Sequence, residues 1–266
     1  MPTKEQIEAA LDDATFDPTW RRKNIKGCLY GEFGSWKTVT AARCAKSRGL
    51  IIAVDDGWES LRNHPGLSEN SESLLDNFEV MEYRGLSQLD AVAERVDEGR
   101  YKDFDIILLD TVSQMQEEYL DFIMDHVNYG GKYRDTVVLD REARQELGSV
   151  DIPAQADYHV VRNKMRPVVK KLIKANINIF FLAHVREPSP LDTKKVRRPA
   201  LTDAVYKLIA RECNLLGFCE KKNKTEQATI TFEGTTMLMA KSRIGLLNDK
   251  TFPADEFVKT IKEWNA

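Results

Sequence analysis

The sequence lacks the features that mark secreted, zinc-binding and membrane proteins. No apolar run approaches the roughly 18 residues that a membrane span needs, and the charged N-terminal segment has no apolar core typical of a signal peptide. The few cysteines form no C-x-x-C pair and no cluster with histidine at metal-ligand spacing. We expect them to be reduced, mostly buried thiols, as is usual in the cytosol: Cys28, Cys44, Cys213 and Cys219. We therefore predict a cytoplasmic protein with no membrane partner.

A basic excess is also missing. The chain carries 39 lysine and arginine residues against 42 aspartate and glutamate residues, a net charge of -3. Since dedicated nucleic-acid-binding domains are usually basic, any such contact has to come from a local patch. The chain has no repeat and no break in composition, which favours one domain over residues 1–266. We divide it into a helical extension over 1–23, a core over 24–247 and a C-terminal helix over 248–266.

Apolar runs alternate with helical periodicity along most of the chain. The runs within 49–56, 104–110 and 176–185 are continuous, which is typical of strands buried on both faces of a sheet. Strict alternation over 228–234 predicts an antiparallel hairpin instead. The sequence therefore predicts an α/β fold, with a mostly parallel central sheet flanked by helices and a C-terminal antiparallel hairpin.

A phosphate-binding motif follows the first predicted strand and opens a predicted helix. The pattern G-x-x-x-x-G-K-[ST] makes a nest of backbone N–H groups for phosphate oxygens. Lys37 would neutralise the β- and γ-phosphates of ATP, and the Thr38 hydroxyl would bind Mg²⁺. The candidate nucleotide-binding residues are Gly31, Glu32, Phe33, Gly34, Ser35, Trp36, Lys37 and Thr38.

Trp36 stands where the pattern has its second glycine. A bulky residue is unexpected where the backbone passes close to phosphate, so a strand–turn–helix that binds no nucleotide remains the alternative. We expect the Trp36 N–H to face phosphate and the indole to turn outward, over the nucleotide site or against a neighbouring subunit.

Acids end two of the predicted strands. Asp110 follows four apolar residues about 70 positions after the P-loop, which is the Walker B arrangement for holding Mg²⁺. Asp55 and Asp56 end the run at 49–56, and one of them would activate the attacking water. We favour Asp56 slightly. In both places the alternative is an acid that only caps the next helix.

These residues together resemble the RecA/KaiC-like branch of P-loop NTPases over about residues 24–247, most closely the phage Sak4-like single-strand recombination ATPases. GEFGSWKT resembles Walker A, ILLDTVSQM resembles Walker B and NIFFLAHVRE resembles the strand whose last polar residue senses the γ-phosphate. The resemblance implies that His184 is this sensor. It also implies that Lys241 and Arg243 form a K-x-R finger that acts in a neighbour's ATP site. The alternatives are a hydrogen-bonded histidine and two solvated cations.

The resemblance further implies ATP and Mg²⁺ as cofactors, ATP hydrolysis, and a homo-oligomer with its ATP sites at subunit interfaces. It implies single-stranded DNA as a partner, contacted by loops at about 128–152 and 186–200, and suggests a single-strand-binding protein as another. Tyr129 and Tyr133 could stack on bases. The second loop carries a basic cluster suited to phosphate contacts: Arg186, Lys194, Lys195, Arg197 and Arg198. The alternative is a solvated loop that does not contact DNA.

The predicted function is that of a RecA-like ATPase acting on single-stranded DNA in recombination or annealing. The alternative is a nucleotide-dependent switch or scaffold ATPase whose partner is a protein. A small-molecule kinase shares the P-loop, but the acid-ended second strand and the late K-x-R motif argue against it.

Overall fold

The computed structural model describes most of the chain in six segments: residues 24–67, 71–126, 153, 155–188, 195–221 and 227–264. The predicted N-terminal extension, the loop at 128–152 with its two tyrosines, and Lys194 lie outside the described residues.

The described strands are, in chain order, β1 Lys26–Gly31, β2 Gly49–Ala53, β3 Phe78–Glu82, β4 Ile106–Asp110, β5 Asn178–Arg186, β6 Arg198–Pro199, β7 Leu215–Glu220, β8 Thr229–Thr231, β9 Lys241–Ser242 and β10 Thr251–Pro253. The described α-helices are α1 Lys37–Arg43, α2 Leu86–Asp97, α3 Val112–His126, α4 Gln155–Lys174, α5 Asp203–Glu212 and α6 Ala254–Trp264. Short 3-10 helices cover Asp56–Asn63, Leu74–Asn77 and Gly245–Leu247.

The strands form one sheet in the order β10-β8-β7-β1-β5-β4-β2-β3. The strands from β7 to β3 in this order are mutually parallel. β7 turns back into β8 as an antiparallel hairpin, and β10 extends that edge. The predicted fold is confirmed, including the hairpin. The short β6 and β9 add antiparallel pairs to β5 and β7.

The sheet is buried on both faces, as the continuous apolar runs predict. One hydrophobic cluster packs its first face against α2, α3, α4 and α5. The other cluster packs the second face against α1 and α6. Alternate residues of each strand enter opposite clusters; Tyr30 lies in the first and Leu29 in the second. All four cysteines are free and buried. Within the described ranges, no helix is long and apolar enough to cross a membrane.

The parallel strands bring their carboxyl ends to one edge of the sheet. Gly31 at the end of β1 is opposite His184 in β5, and Ala53 at the end of β2 is opposite Asp110 at the end of β4. In open α/β sheets this edge is where ligands bind. The fold therefore places the P-loop, the Walker B acid, the paired acids and the sensor histidine along a common edge.

Candidate nucleotide-binding site

The P-loop turns sharply because glycine allows a close approach and a left-handed backbone. A Cβ on Gly31 would lie 2.1 Å from the Cys219 carbonyl oxygen of the adjacent strand β7, so only glycine fits there. Gly34 has φ +71, a conformation that L side chains rarely adopt. Gly31 is the first glycine of the motif, whereas Gly34 is an additional glycine within its variable positions.

Trp36 adopts the backbone conformation of the glycine that it replaces. Its φ is 64 and its ψ is 24, in the left-handed region, and it forms the N-cap of α1. The loop path is thus that of a P-loop, at a strain cost of about 1 kcal/mol or more for a non-glycine residue. The indole packs within the same chain, edge-on to His64 with ring centroids 5.0 Å apart. The Lys221 ammonium lies 4.4 Å from the indole centroid on β7's side of the loop.

Lys37 is buried and folds back across the loop. Its Nζ donates to the carbonyls of Gly31 at 3.1 Å and Glu32 at 2.8 Å, and to the Ser35 hydroxyl at 3.3 Å. Burial lowers the pKa of Lys37, while nearby acidic groups, including Asp110, raise it. The ammonium is therefore held at the loop by main-chain oxygens, within the group of residues that would receive phosphate.

Thr38 and Asp110, the two predicted metal ligands, are in direct contact. The Thr38 hydroxyl donates to Oδ2 of Asp110 at 2.7 Å, across 72 residues of sequence. Burial raises the pKa of Asp110 to about 6, and the hydrogen bond from Thr38 opposes this shift. Two oxygen ligands suit Mg²⁺, which usually keeps several waters and takes substrate phosphates as further ligands. Among the described residues there is no group of three or more metal-ligating side chains, as expected for that mode of binding.

Asp55 joins this site, whereas Asp56 does not contribute to its hydrogen bonds. Oδ1 of Asp55 accepts from the Gly57 N–H at 2.9 Å, and Oδ2 accepts from Nε2 of Gln114 at 2.9 Å. A Cβ placed on Gly57 would lie 3.0 Å from Asp55 Oδ1 and 3.8 Å from Asp110 Oδ2. Both carboxylates thus border one small gap. Asp56 is exposed and begins the 3-10 helix.

Gln114 is a site residue that sequence reasoning missed. It lies in the first turn of α3, four residues after Asp110, and its Oε1 accepts from the Thr111 hydroxyl at 2.8 Å. With its amide N–H groups turned toward Asp55, it links the end of β4 to the end of β2. The available signal is its position: a helix that follows a parallel strand starts at the same edge of the sheet.

His184 lies beside the P-loop with unsatisfied ring nitrogens. Its ring packs on Phe33 with centroids 4.3 Å apart, and neither Nδ1 nor Nε2 has a hydrogen-bond partner although both are buried. Burial and the charge of Lys37 lower the pKa of His184, while Asp55 opposes the shift. The ring is therefore neutral near pH 7. Since buried polar atoms are normally paired, the ring nitrogen that carries the proton fits an acceptor on a ligand, such as a phosphate oxygen.

Lys241 and Arg243 lie toward the opposite edge of the sheet from the P-loop. Lys241 pairs with Leu216 at the start of β7, in the register of Cys28 rather than Gly31, and three strand residues span about 10 Å. Both side chains donate to the Arg211 carbonyl at the end of α5. They are therefore not part of this chain's own P-loop site.

Two members of the predicted basic cluster already have acidic partners. Arg197 pairs with Glu187 at 3.0 Å, and Arg198 pairs with Asp203 at 2.6 Å. Arg186 is the main-chain ladder partner of Arg198 at the base of the loop, and Lys195 lies beyond Arg197 toward the loop. The cluster is thus partly neutralised within the chain.

The parallel sheet, the loop around Lys37 and the Thr38–Asp110 contact define the class of this protein as a P-loop NTPase. The family model for the AAA domain matches residues 23–244, and the chain belongs to this family. A search of curated proteins finds no match to the sequence.

Proposed function

We propose that this protein binds ATP with Mg²⁺ at the carboxyl edge of the sheet and hydrolyses it to ADP and phosphate. The contact between Thr38 and Asp110 at 2.7 Å is the observation that supports this most directly. It joins the end of the P-loop to the end of the Walker B strand, the two positions from which such enzymes hold the metal. Membership of the AAA domain family agrees with this assignment.

The residues of the site have separate roles in binding and hydrolysing ATP. The backbone N–H groups of residues 32–38 and the start of α1 hold the phosphates, and Lys37 neutralises their charge. Thr38 and Asp110 would hold Mg²⁺, which would supply positive charge to stabilise the transferring phosphate. His184 donates a ring N–H toward the terminal phosphate, a role that fits its two unpartnered nitrogens.

Asp55, rather than Asp56, is proposed as the acid that activates water. A general base has to be held in place and has to reach the water that it deprotonates. The Asp55 carboxylate is fixed by two donors and borders the same gap as Asp110. Gln114 is then a positioning residue, because it orients the Asp55 carboxylate.

The finer proposal is a RecA-like oligomer that acts on single-stranded DNA. The placement of Lys241 and Arg243 away from this chain's own P-loop supports action in a neighbouring subunit's site through head-to-tail assembly. The proposed DNA contacts are Lys194 and Lys195, which belong to the predicted basic loop at 186–200. Kinship to the phage recombination group remains part of this proposal.

Phosphate release from ATP is measured with and without single-stranded DNA, together with sizing chromatography. This experiment tests both the proposed ATPase activity and the finer proposal of an oligomer that acts on DNA. Lys37-dependent release supports the ATPase. Stimulation by DNA that is lost in a Lys194→Ala, Lys195→Ala double variant supports the finer proposal. ATP binding without hydrolysis, with or without DNA, would instead favour the switch or scaffold function, to which the unusual Trp36 also points.

A further inference from the structure

An ion pair between Arg197 and Glu187 lies beside the P-loop, and neither side chain has a role in the nucleotide site proposed above. In the β5–β6 ladder Arg186 is opposite Arg198, so Glu187 and Arg197 occupy the next position outward. Nε of Arg197 lies 3.0 Å from Oε1 and 3.1 Å from Oε2 of Glu187. Both side chains are about half exposed, so the pair contributes little to folding stability.

The main chain of Arg197 is tied to the strand that leads into the P-loop. Its N–H donates to the Met237 carbonyl at 2.8 Å, and its carbonyl accepts from the Met239 N–H at 3.0 Å. The buried Tyr30 hydroxyl donates to the Met239 carbonyl at 2.6 Å and reaches the Arg197 carbonyl at 3.5 Å. Tyr30 immediately precedes Gly31, so these hydrogen bonds fix the main chain of Arg197 relative to the start of the P-loop.

The guanidinium and the P-loop face the same cleft. This cleft has a volume of about 380 Å³, and its lining includes Glu32, Phe33 and Ser35 of the P-loop, the pair Glu187 and Arg197, and residues at the end of β7. The Arg197 guanidinium lies 5.9 Å from the Phe218 ring centroid. Since Phe33 also packs on His184, the cleft adjoins the side of the loop at which the sensor histidine lies.

We infer that Arg197 is a phosphate-binding cation of this chain's own nucleotide site, and that it exchanges its partner from Glu187 to the terminal phosphate of ATP. This inference rests on the proposed function. Arg–phosphate pairs are bidentate and charge-assisted, and a terminal phosphate carries more charge than the half-exposed Glu187 carboxylate. Glu187 therefore acts as a competitor that holds the guanidinium in the cleft until the phosphate arrives.

The test measures the affinities for ADP and for a non-hydrolysable ATP analogue by calorimetry in the presence of Mg²⁺. Arg197→Ala is expected to weaken analogue binding about tenfold, the effect of losing hydrogen bonds to a charged group, and to leave ADP binding nearly unchanged. Glu187→Gln is expected to strengthen analogue binding several-fold, because it removes the competitor. A purely structural ion pair would give changes of the same sign in both variants.

Arg48 and Glu79 provide a matched control. They form another half-exposed ion pair, with the Arg48 guanidinium 5.2 Å from the Phe104 ring centroid, at the amino end of β2. Arg48→Ala and Glu79→Gln should leave the ratio of analogue to ADP affinity unchanged.

Equal losses for both nucleotides in Arg197→Ala, or no loss, would overturn the inference while Lys37-dependent binding still supports the proposed function. Absence of Lys37-dependent binding in the native protein would overturn both. If Arg197→Ala does not fold, Glu187→Gln decides alone: stronger analogue binding supports the exchange, and unchanged or weaker binding contradicts it.

Discussion

The two ends of strand β1 each hold a buried lysine on main-chain carbonyls, but their surroundings differ. At the amino edge, Lys26 donates to the carbonyls of Ala175 and Ile177 just beyond α4, and burial lowers its pKa to about 7. At the carboxyl edge, Lys37 donates to the carbonyls of its own loop. Lys37 lies among several carboxyl groups and near a histidine with unpartnered nitrogens, whereas the carboxyl group that acts on the pKa of Lys26 is Asp97. A buried cation alone does not mark a site; the oxygen ligands and orphaned polar groups around it do.

The largest expected difference between the two edges of the sheet is the effect of replacing their lysines on ATP affinity. Lys37→Ala is expected to lower ATP affinity by about 100-fold or more, because it removes charge-assisted hydrogen bonds to phosphate. Lys26→Met should keep ATP affinity within about threefold per folded molecule, since Lys26 is at the other end of the strand. Calorimetric titration with ATP and Mg²⁺ measures both, and unchanged affinity in Lys37→Ala would refute the P-loop assignment.

The carboxyl edge itself contains a sharper comparison, between Asp55 and Asp56. Asp55→Asn should slow ATP turnover by about 10²-fold or more, as expected for loss of a general base, while ATP still binds. Asp56→Asn should turn over nearly normally, because the hydrogen bonds described at the site are made by Asp55 and not by Asp56. Single-turnover phosphate release distinguishes them. The reverse result would return the role to Asp56.

Replacing Asp110 should show how much burial of this proposed metal ligand lowers the free energy of unfolding. Its folded-state pKa of about 6 exceeds the ordinary value of 3.8, so the native state binds more protons between these values and its stability falls as pH rises through them. Asp110→Asn should therefore raise the free energy of unfolding at pH 7.5 by up to about 3 kcal/mol without ligands. Urea denaturation should show little gain at pH 4.

The same Asp110→Asn variant should lose the dependence of ATP binding on Mg²⁺. A variant that is less stable than the native protein at pH 7.5, or that retains the full Mg²⁺ effect, would contradict the assignment of Asp110 as a buried metal ligand.

The amino edge of the sheet would take part in ATP hydrolysis only in an assembly, at the ATP site of a second subunit. Under the proposed role of Arg243 in a neighbour's site, Arg243→Ala should bind ATP but hydrolyse it slowly. Mixing it with Lys37→Ala should restore part of the activity, since some interfaces then combine an intact loop with an intact finger. Failure to recover activity at any mixing ratio, with assembly shown by sizing chromatography, would leave Arg243 as a helix-end contact within its own chain.

Trp36 should give the smallest effect on binding. Trp36→Gly relieves a left-handed conformation in a non-glycine residue but loses the contacts with His64 and Lys221, so ATP affinity should stay within about tenfold, or 1.4 kcal/mol. Indole fluorescence should respond to ATP in the native protein, with Trp20, Trp58 and Trp264 as background. ATP binding that exists only in Trp36→Gly would mean that the native loop is degenerate.

Much of the carboxyl edge could be predicted because its signals are local. The motif from Gly31 to Thr38 and the acid-ended run at Asp110 are short patterns, and parallel strands necessarily bring such ends together. The choice between Asp55 and Asp56 was beyond the sequence, because adjacent residues leave the backbone in different directions. Gln114 gave only the signal of its position, which is weak, since an amide in a first helical turn is common and its partner Asp55 is 59 residues away.

The sequence by itself determined the parallel sheet, through continuous apolar runs, and the phosphate loop, through residue types whose backbone and side-chain chemistry is local. Only the tertiary structure decided the distances between residues far apart in the chain. It brought Thr38 to Asp110, paired Arg197 and Arg198 with acids, and separated Lys241 and Arg243 from the loop. Charge and hydrogen bonding act through space over a few ångströms, so a cation in the sequence acquires its partner, and its function, only when the chain has folded.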